Sequence, residues 1–152
     1  MSITQLVTGQ HGALFFEETE DARYVAVPDT AGGFTVPDPA SQASDRHFQK
    51  IHAPGLLSGS LPVILFRTRH TARPRFSVRL NSTLLTQHTF ADDGPHSWHE
   101  IIPGVALKPQ DNELTFAVSG QGTVTFSDVV ILYKANELTV KKPLVVLPSS
   151  AA

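Results

Sequence analysis

Between residues 75 and 133 the chain alternates apolar and polar side chains in short stretches, and this pattern constrains the fold more than any other. In residues 75–80, Phe76, Val78 and Leu80 fall on one side of an extended backbone, and the polar residues between them fall on the other. A period of two residues is typical of a β-strand with one buried face, because successive side chains point to opposite sides of a sheet. No stretch of convincing length has the apolar spacing of a helix. The sequence therefore predicts an all-β protein.

Other stretches rich in apolar residues and bounded by turn residues predict the remaining strands. They fall at residues 13–16, 24–27, 47–53, 62–69, 83–90, 97–102, 113–119, 123–126 and 128–133. An acidic turn at residues 17–21 is expected to separate the first two. Leu85 and Phe90 are an odd number of residues apart, so a regular strand would point them to opposite faces. This predicts a bulge or bend between them.

Two further predictions concern how the strands meet. Residues 113–119 and 123–126 alternate on either side of Gly120, Gln121 and Gly122, which predicts a β-hairpin with a tight turn. Residues 128–133 are apolar on both faces, which is typical of a central strand that is covered on both sides.

The length and composition favour one domain. A chain of 152 residues buries roughly two thirds of its unfolded surface and needs no cross-link, and the absence of cysteine excludes disulfides and thiolate chemistry. We predict N-terminal strands and an extended arm or loop at residues 1–45, a β-sandwich core at 46–138, and a C-terminal tail strand at 139–152. The Pro-, Gly- and Ser-rich residues 28–45 form the expected arm or loop.

The strand pattern carries motifs around Asn81, Leu84-Leu85, the stretch from Trp98 to Pro103, the Asp111-Asn112 pair, and residues 126–133. Together these resemble the jelly-roll modules of the galactose-binding-like and carbohydrate-binding-module type. Ser82 and Gln110 stand where glycine is usual in those modules. The resemblance implies a jelly-roll-like antiparallel β-sandwich, here with extended N- and C-terminal segments, and a non-catalytic binding domain, often for sugars. Similar folds also serve as capsid, fibre and baseplate parts.

Charge is unevenly distributed, although the net charge is only −2. Residues 46–91 contain no Asp or Glu but seven of the twelve basic residues, whereas acidic residues cluster near the start and at Asp92-Asp93. Such regions can meet across subunits, pair within one fold or remain solvated. The apolar tail can likewise pair with the chain's own N-terminal strands or add to a neighbour's sheet edge.

These features favour a structural protein, the subunit of a symmetric homo-oligomeric particle such as a capsid, tube or fibre. The predicted subunit contacts are Arg67, Arg69, Arg73, Arg75, Arg79, Leu144, Val145, Val146 and Leu147.

The alternative is a lectin-like module that recognises a glycan. Its predicted ligand residues are Asp92, Asp93, His96, Trp98 and His99. In a regular strand Trp98 points to the same side as the polar residues His96 and Glu100, which predicts that it lies on the solvated face. There its flat ring could stack on a pyranose. We predict no metal there, because His96 and His99 would point to opposite faces of a strand; the scattered histidines, including His47 and His70, are predicted to be surface or hydrogen-bonded residues.

The remaining functional classes find little support in the sequence. The chain lacks the nucleophile elbow, phosphate-binding loop and zinc-protease motifs, so we predict no enzyme activity and no cofactor. The acidic balance and the lack of aromatics among the basic residues argue against nucleic acid. No apolar run approaches a membrane span, and without a secretory signal pattern we expect cytoplasmic synthesis, which is also consistent with a place in a virion or released particle.

Overall fold

The computed structural model describes residues 2–9, 12–28 and 30–144, with side chains described for residues 21–28 and 30–136. Ten strands and no helix occur within these ranges. The strands are β1 Ser2–Gly9, β2 Gly12–Ala26, β3 Phe34–Val36, β4 Asp45–Ile51, β5 Val63–His70, β6 Arg75–Leu80, β7 Thr83–Thr89, β8 His96–Ile101, β9 Asn112–Ser119 and β10 Val124–Leu144. None of the described residues forms a helix long and apolar enough to cross a membrane.

The strands form two antiparallel sheets. Sheet A has the order β1-β2-β10-β5-β8, with β3 also paired to β10, and sheet B has the order β4-β9-β6-β7. The eight strands from β3 to β10 thus form a jelly roll, with β3-β10-β5-β8 in one sheet and β4-β9-β6-β7 in the other. This confirms the predicted all-β, jelly-roll-like sandwich.

The core lies between the two sheets and is rich in phenylalanine. Phe34 of β3 packs against Phe126 of β10 within sheet A, and both lie against Phe116 of sheet B, with ring centroids 4.8 to 5.4 Å apart. Phe76 of β6 similarly meets Phe66 of β5 edge to face at 6.0 Å. Burying each such ring contributes roughly 1.5–3 kcal/mol, so the inward faces of the alternating strands stabilise the sandwich.

The predicted hairpin between residues 113–119 and 123–126 is wrong. β9 pairs with β4 and β6 in sheet B, whereas β10 pairs with β2, β3 and β5 in sheet A. The turn at residues 120–122 therefore crosses from one sheet to the other. Phe116 and Phe126 still both point into the core, but they face each other across it instead of lying side by side on one sheet.

Several predicted boundaries also change. β2 is continuous from Gly12 to Ala26, without the expected acidic turn at residues 17–21. Residues 28–45 contain β3 and bury Phe34 and Val36 in the chain's own core, so this segment is not an arm that extends away from it. The bulge expected after Leu85 lies at Leu85 itself, where the β6–β7 register shifts.

The C-terminal part of β10 returns to the chain's own N-terminal strands. β2 and β10 pair from Ala26↔Val130 to Ala13↔Leu144, and β1 pairs with the other edge of β2. Leu144, predicted as a subunit contact, is thus a ladder partner of β2, while Val145, Val146 and Leu147 lie outside the described residues.

Candidate functional site

Trp98 points into the space between the sheets, which corrects its expected place on the solvated face. Its indole Nε1 donates a 2.8 Å hydrogen bond to Oγ1 of the buried Thr68, and its ring lies edge to face on Phe76 at 5.2 Å. His96 and Glu100 share its side of β8, as their parity predicts, but that side faces sheet B at the open edge of the sandwich. A partly buried ring held in this way packs against the core.

The other predicted ligand residues divide among three places. Asp93 pairs with Arg73 at 2.9 Å, and His99 is exposed on the outer face of sheet A. Asp92 and His96 stay together, with 3.3 Å between Oδ1 and Nε2. His70, at the end of β5, joins these two, so that one donor atom of each residue lies within 4.8 Å of the others.

The sequence does not predict that His70 lies close to His96. The two residues come together because β5 and β8 pair in the register Thr68↔His96, which places His70 just beyond the end of β8. The prediction that one ion cannot bind both His96 and His99 agrees with their opposite orientations, but it does not consider His70.

A polar pocket of about 570 Å³ opens on the outer face of sheet A. Its lining includes Arg67, Arg69, Ser97, Ser127 and Asp128, which come from β5, β8 and β10. Gly32 and Gly33 of the loop before β3 form part of the wall. The pocket therefore combines guanidinium, carboxylate and hydroxyl groups in a space of the size that small ligands occupy.

A bulge in β10 places Asp128 in this pocket. The β5–β10 register shifts between Ser127 and Val130, and Asp128 has a φ of 52°. Ser127 and Asp128 consequently both lie on the outer face, while Phe126 and Val129 on either side are buried. Thr30 supports the bulge, since its carbonyl oxygen accepts from the Asp128 N–H and its hydroxyl oxygen from the Val129 N–H. Bulges commonly re-aim side chains next to functional sites.

The charged groups of this pocket keep much of their hydrogen-bonding capacity. Arg67 and Asp128 are 3.9 Å apart, too far for a direct hydrogen bond, and both side chains are exposed. Arg69 forms no hydrogen bond or ion pair with any of the described residues.

An apolar row crosses the same outer face beside the polar pocket. Tyr24, Leu132, Val63 and Ile101 are direct neighbours in the ladder across β2, β10, β5 and β8. Tyr24 is 70% exposed, Ile101 59% and Leu132 44%. β10 is central in sheet A, as predicted, but no described element covers its outer side, so the prediction of a strand covered on both faces is wrong.

The arginines predicted as one contact surface are divided between two faces of the molecule. Arg67 and Arg69 lie on the outer face of sheet A, whereas Arg75 and Arg79 lie on the outer face of sheet B. Arg73 is in the turn between β5 and β6, paired with Asp93. A single flat contact cannot include all five.

His47 is a surface histidine, as predicted. Its ring nitrogens lie 3.1 Å from Asp45 and 3.2 Å from Glu113. Burial lowers its pKa, but the hydrogen bonds and charges of the two carboxylates outweigh this, so the pKa is raised above its ordinary value. This cluster lies on sheet B, away from the pocket.

Comparison with known proteins supports the fold. No protein-family model and no curated protein match the sequence. Among solved structures, the chain is similar to part of dimeric latent PorU from Porphyromonas gingivalis, with a TM-score of 0.51 and 8% identity over 78% of this chain, and it spans 13% of that chain. It is also similar to the CBM36-1 domain of a multidomain xylanase from the hindgut metagenome of Trinervitermes trinervoides, with a TM-score of 0.45 and 9% identity, covering 74% of this chain and 96% of that one. The similarity to PorU, at 8% identity, concerns the fold alone.

Proposed function

We propose that the protein is a non-catalytic recognition module that binds a glycan on the outer face of sheet A. The observation that carries this proposal is the polar pocket around the β10 bulge, where Asp128 lies 3.9 Å from Arg67, and Arg69 lines the same space. This centres the proposed glycan site on Asp128, while Pro95, His96 and Ser97 of the β7–β8 region still line the pocket.

The chemistry of the pocket suits a sugar. Neighbouring sugar hydroxyls both donate and accept hydrogen bonds, so they complement a carboxylate that only accepts and guanidinium groups that only donate. Ser97 and Ser127 add hydroxyls that do both. Leu65, Val130 and Leu132 line a shallower depression that shares Arg67, Ser97 and Asp128 with the pocket, and these side chains offer an apolar surface to the C–H face of a sugar ring.

The carboxylates favour binding over hydrolysis. Glycosidases of the common types place two carboxyl groups about 5–10 Å apart on either side of the scissile bond. Asp128 is the one carboxylate among the described residues that line this pocket. We therefore propose recognition without cleavage.

The test is binding to an array of neutral and acidic glycans, followed by calorimetry on the best ligand. Asp128→Asn removes the charge but keeps a residue that tolerates the left-handed backbone, and Arg69→Ala removes a guanidinium that lines the pocket. Each change should weaken binding at least about tenfold, because a hydrogen bond to a charged group is worth roughly 1.5–3 kcal/mol.

Arg79→Ala is the matched control, since it removes an exposed arginine from the outer face of sheet B. It should leave the affinity unchanged. Failure to bind any glycan on the array, or equal binding by wild type and Asp128→Asn, would contradict the proposal.

The apolar row favours a second candidate function, self-assembly. Tyr24, Leu132 and Ile101 are exposed side by side on a flat sheet face, and contiguous apolar surface of this kind is typical of protein contacts. A homo-oligomer formed through this face would retain the assembly role predicted from sequence, with a different set of contact residues.

A further inference from the structure

The open edge of the sandwich, where β5 ends and β8 begins, brings two imidazole rings and a carboxylate together. His70 and His96 contribute ring nitrogens, Asp92 contributes a carboxylate oxygen, and these atoms lie within 4.8 Å of one another. The Asp92 Oδ1 to His96 Nε2 distance is already 3.3 Å. Ligand atoms around a tetrahedral zinc ion are roughly 3.3 Å apart, as its bond lengths of about 2.0–2.1 Å require.

The backbone fixes the tautomer of His70. Its Nδ1 lies 3.1 Å from the carbonyl oxygen of Ala72, which can only accept, so Nδ1 carries the proton. In the neutral ring, Nε2 is then left with a lone pair, and this nitrogen is buried without a hydrogen-bond partner among the described residues. Metal-binding histidines are typically held in this way, with the distal N–H donated to a carbonyl or carboxylate.

The ring of His70 is also held in place by packing. It stacks on the buried Phe90 with centroids 3.8 Å apart and an angle of 16°, and it is nearly parallel to His96 at 6.1 Å. A ligand that is already oriented loses little conformational freedom when it binds an ion.

Both free nitrogens are buried and unsatisfied. Nε2 of His70 and Nε2 of His96 have no hydrogen-bond partner among the described residues, although Asp92 Oδ1 lies 3.3 Å from Nε2 of His96. Buried polar atoms are paired in the great majority of cases, and an unpaired one costs free energy. Two such atoms facing one carboxylate indicate a missing shared partner.

We propose that His70, Asp92 and His96 bind a divalent transition-metal ion of the zinc class. Two neutral imidazoles and one carboxylate suit Zn²⁺, whereas Ca²⁺ and Mg²⁺ prefer sites made of oxygen ligands. Asp92 is 68% exposed, so the ion can enter from solvent and keep a water molecule in the fourth position. Bound there, the metal ties the β7–β8 loop to the end of β5.

The first experiment is a calorimetric titration of the untagged, EDTA-treated protein with ZnCl₂, together with thermal unfolding in the presence and absence of Zn²⁺. We expect one equivalent to bind and to raise the unfolding temperature. CaCl₂ in place of ZnCl₂ should do neither.

Variants assign the ligands. His70→Gln, His96→Gln and Asp92→Asn should each weaken zinc binding at least about tenfold and reduce the gain in unfolding temperature. His99→Gln and Asp93→Asn are matched controls, since they are the neighbouring histidine and carboxylate that point elsewhere, and they should bind as wild type does.

Asp92→Asn changes an exposed side chain, so it decides the matter even if a histidine variant folds poorly. Long-range ¹H–¹⁵N spectra should show the Nδ1–H tautomer of His70 without metal and a shift of its Nε2 resonance on addition of Zn²⁺. Absence of zinc binding by the wild type, or binding that His70→Gln and Asp92→Asn leave intact, would overturn the assignment.

Discussion

Asn112 links three parts of the chain through one buried side chain. Its Oδ1 accepts from the Lys108 N–H and from Nδ2 of Asn81, and its Nδ2 donates to the carbonyl oxygens of Ile51 and Lys108. These four hydrogen bonds join β4, the β6–β7 turn and the loop before β9. All of its polar capacity is used at zero exposure.

We predict that Asn112→Ala lowers the free energy of unfolding by roughly 2–4 kcal/mol, because it leaves several buried backbone groups without partners. Urea denaturation measures this, and Gln110→Ala at the exposed neighbouring position serves as the control. An Asn112→Ala protein as stable as the control would show that these hydrogen bonds contribute little.

At the residue scale, the sequence predicts features that depend on neighbouring residues of one strand. It does not predict contacts between residues of different strands, because these depend on how the strands are aligned in the sheet. Asn81 and Asn112 are recognisable from their motifs, and in the structure their side chains hydrogen-bond to each other. The direction of Trp98 follows its parity, but parity alone does not say which face of an edge strand meets the other sheet. His70 and His96 are linked only by the β5–β8 pairing.

At the element scale, the alternation predicts strands well and their partners poorly. β6 matches its predicted bounds, and β4, β5, β7, β8 and β9 differ only at their ends. The failed hairpin shows why pairing is harder. Two strands with alternating apolar residues can follow a short turn in two arrangements, side by side in one sheet or facing each other from two sheets. The same apolar side chains are buried in both arrangements. The distinction depends on contacts that the turn makes with the rest of the fold.

Gly122 makes such a contact in the turn between β9 and β10. Its φ is 110°, and a Cβ at this position would overlap the carbonyl oxygen of Thr71 in the β5–β6 turn. The close approach of these two turns fits the crossover from sheet B to sheet A, and it requires glycine for space as well as for conformation.

Gly122→Ala should therefore lower the free energy of unfolding by roughly 2–4 kcal/mol, since it combines left-handed strain with a backbone clash. Gly59→Ala is the control, because Gly59 has a φ of 85° and an added Cβ there would meet no atom within 4 Å. That change should cost only about 1 kcal/mol. Equal losses in urea denaturation would mean that the close approach to Thr71 is unimportant.

At the scale of the whole molecule, the outer faces of the two sheets differ in kind. Sheet A presents the polar pocket and the row from Tyr24 to Ile101, whereas the exposed positions of β6 in sheet B carry Arg75 and Arg79. The sequence places most strands and the fold class, but it does not predict this asymmetry, since it depends on which strands share a sheet.

If the apolar row mediates self-assembly, the wild type should form a discrete oligomer in light scattering. Leu132→Glu should shift it to the 16.5 kDa monomer, because a charge would be buried in the contact. Leu84→Glu places the same charge on the 37% exposed Leu84 of sheet B and should leave the oligomer intact. A wild type that is monomeric at all concentrations would exclude the assembly function and leave glycan recognition as the proposal.

The position of β10 has a consequence for how the protein is made. This strand comes last in the described order, yet it is the centre of sheet A, bonded to β2, β3 and β5. While the ribosome is still translating the residues before it, β2, β3 and β5 have appeared but lack the strand that joins them, and their edges can pair with other chains. The β1–β2 and β5–β8 pairs can form earlier, but sheet A is joined into one sheet only after β10 is synthesised.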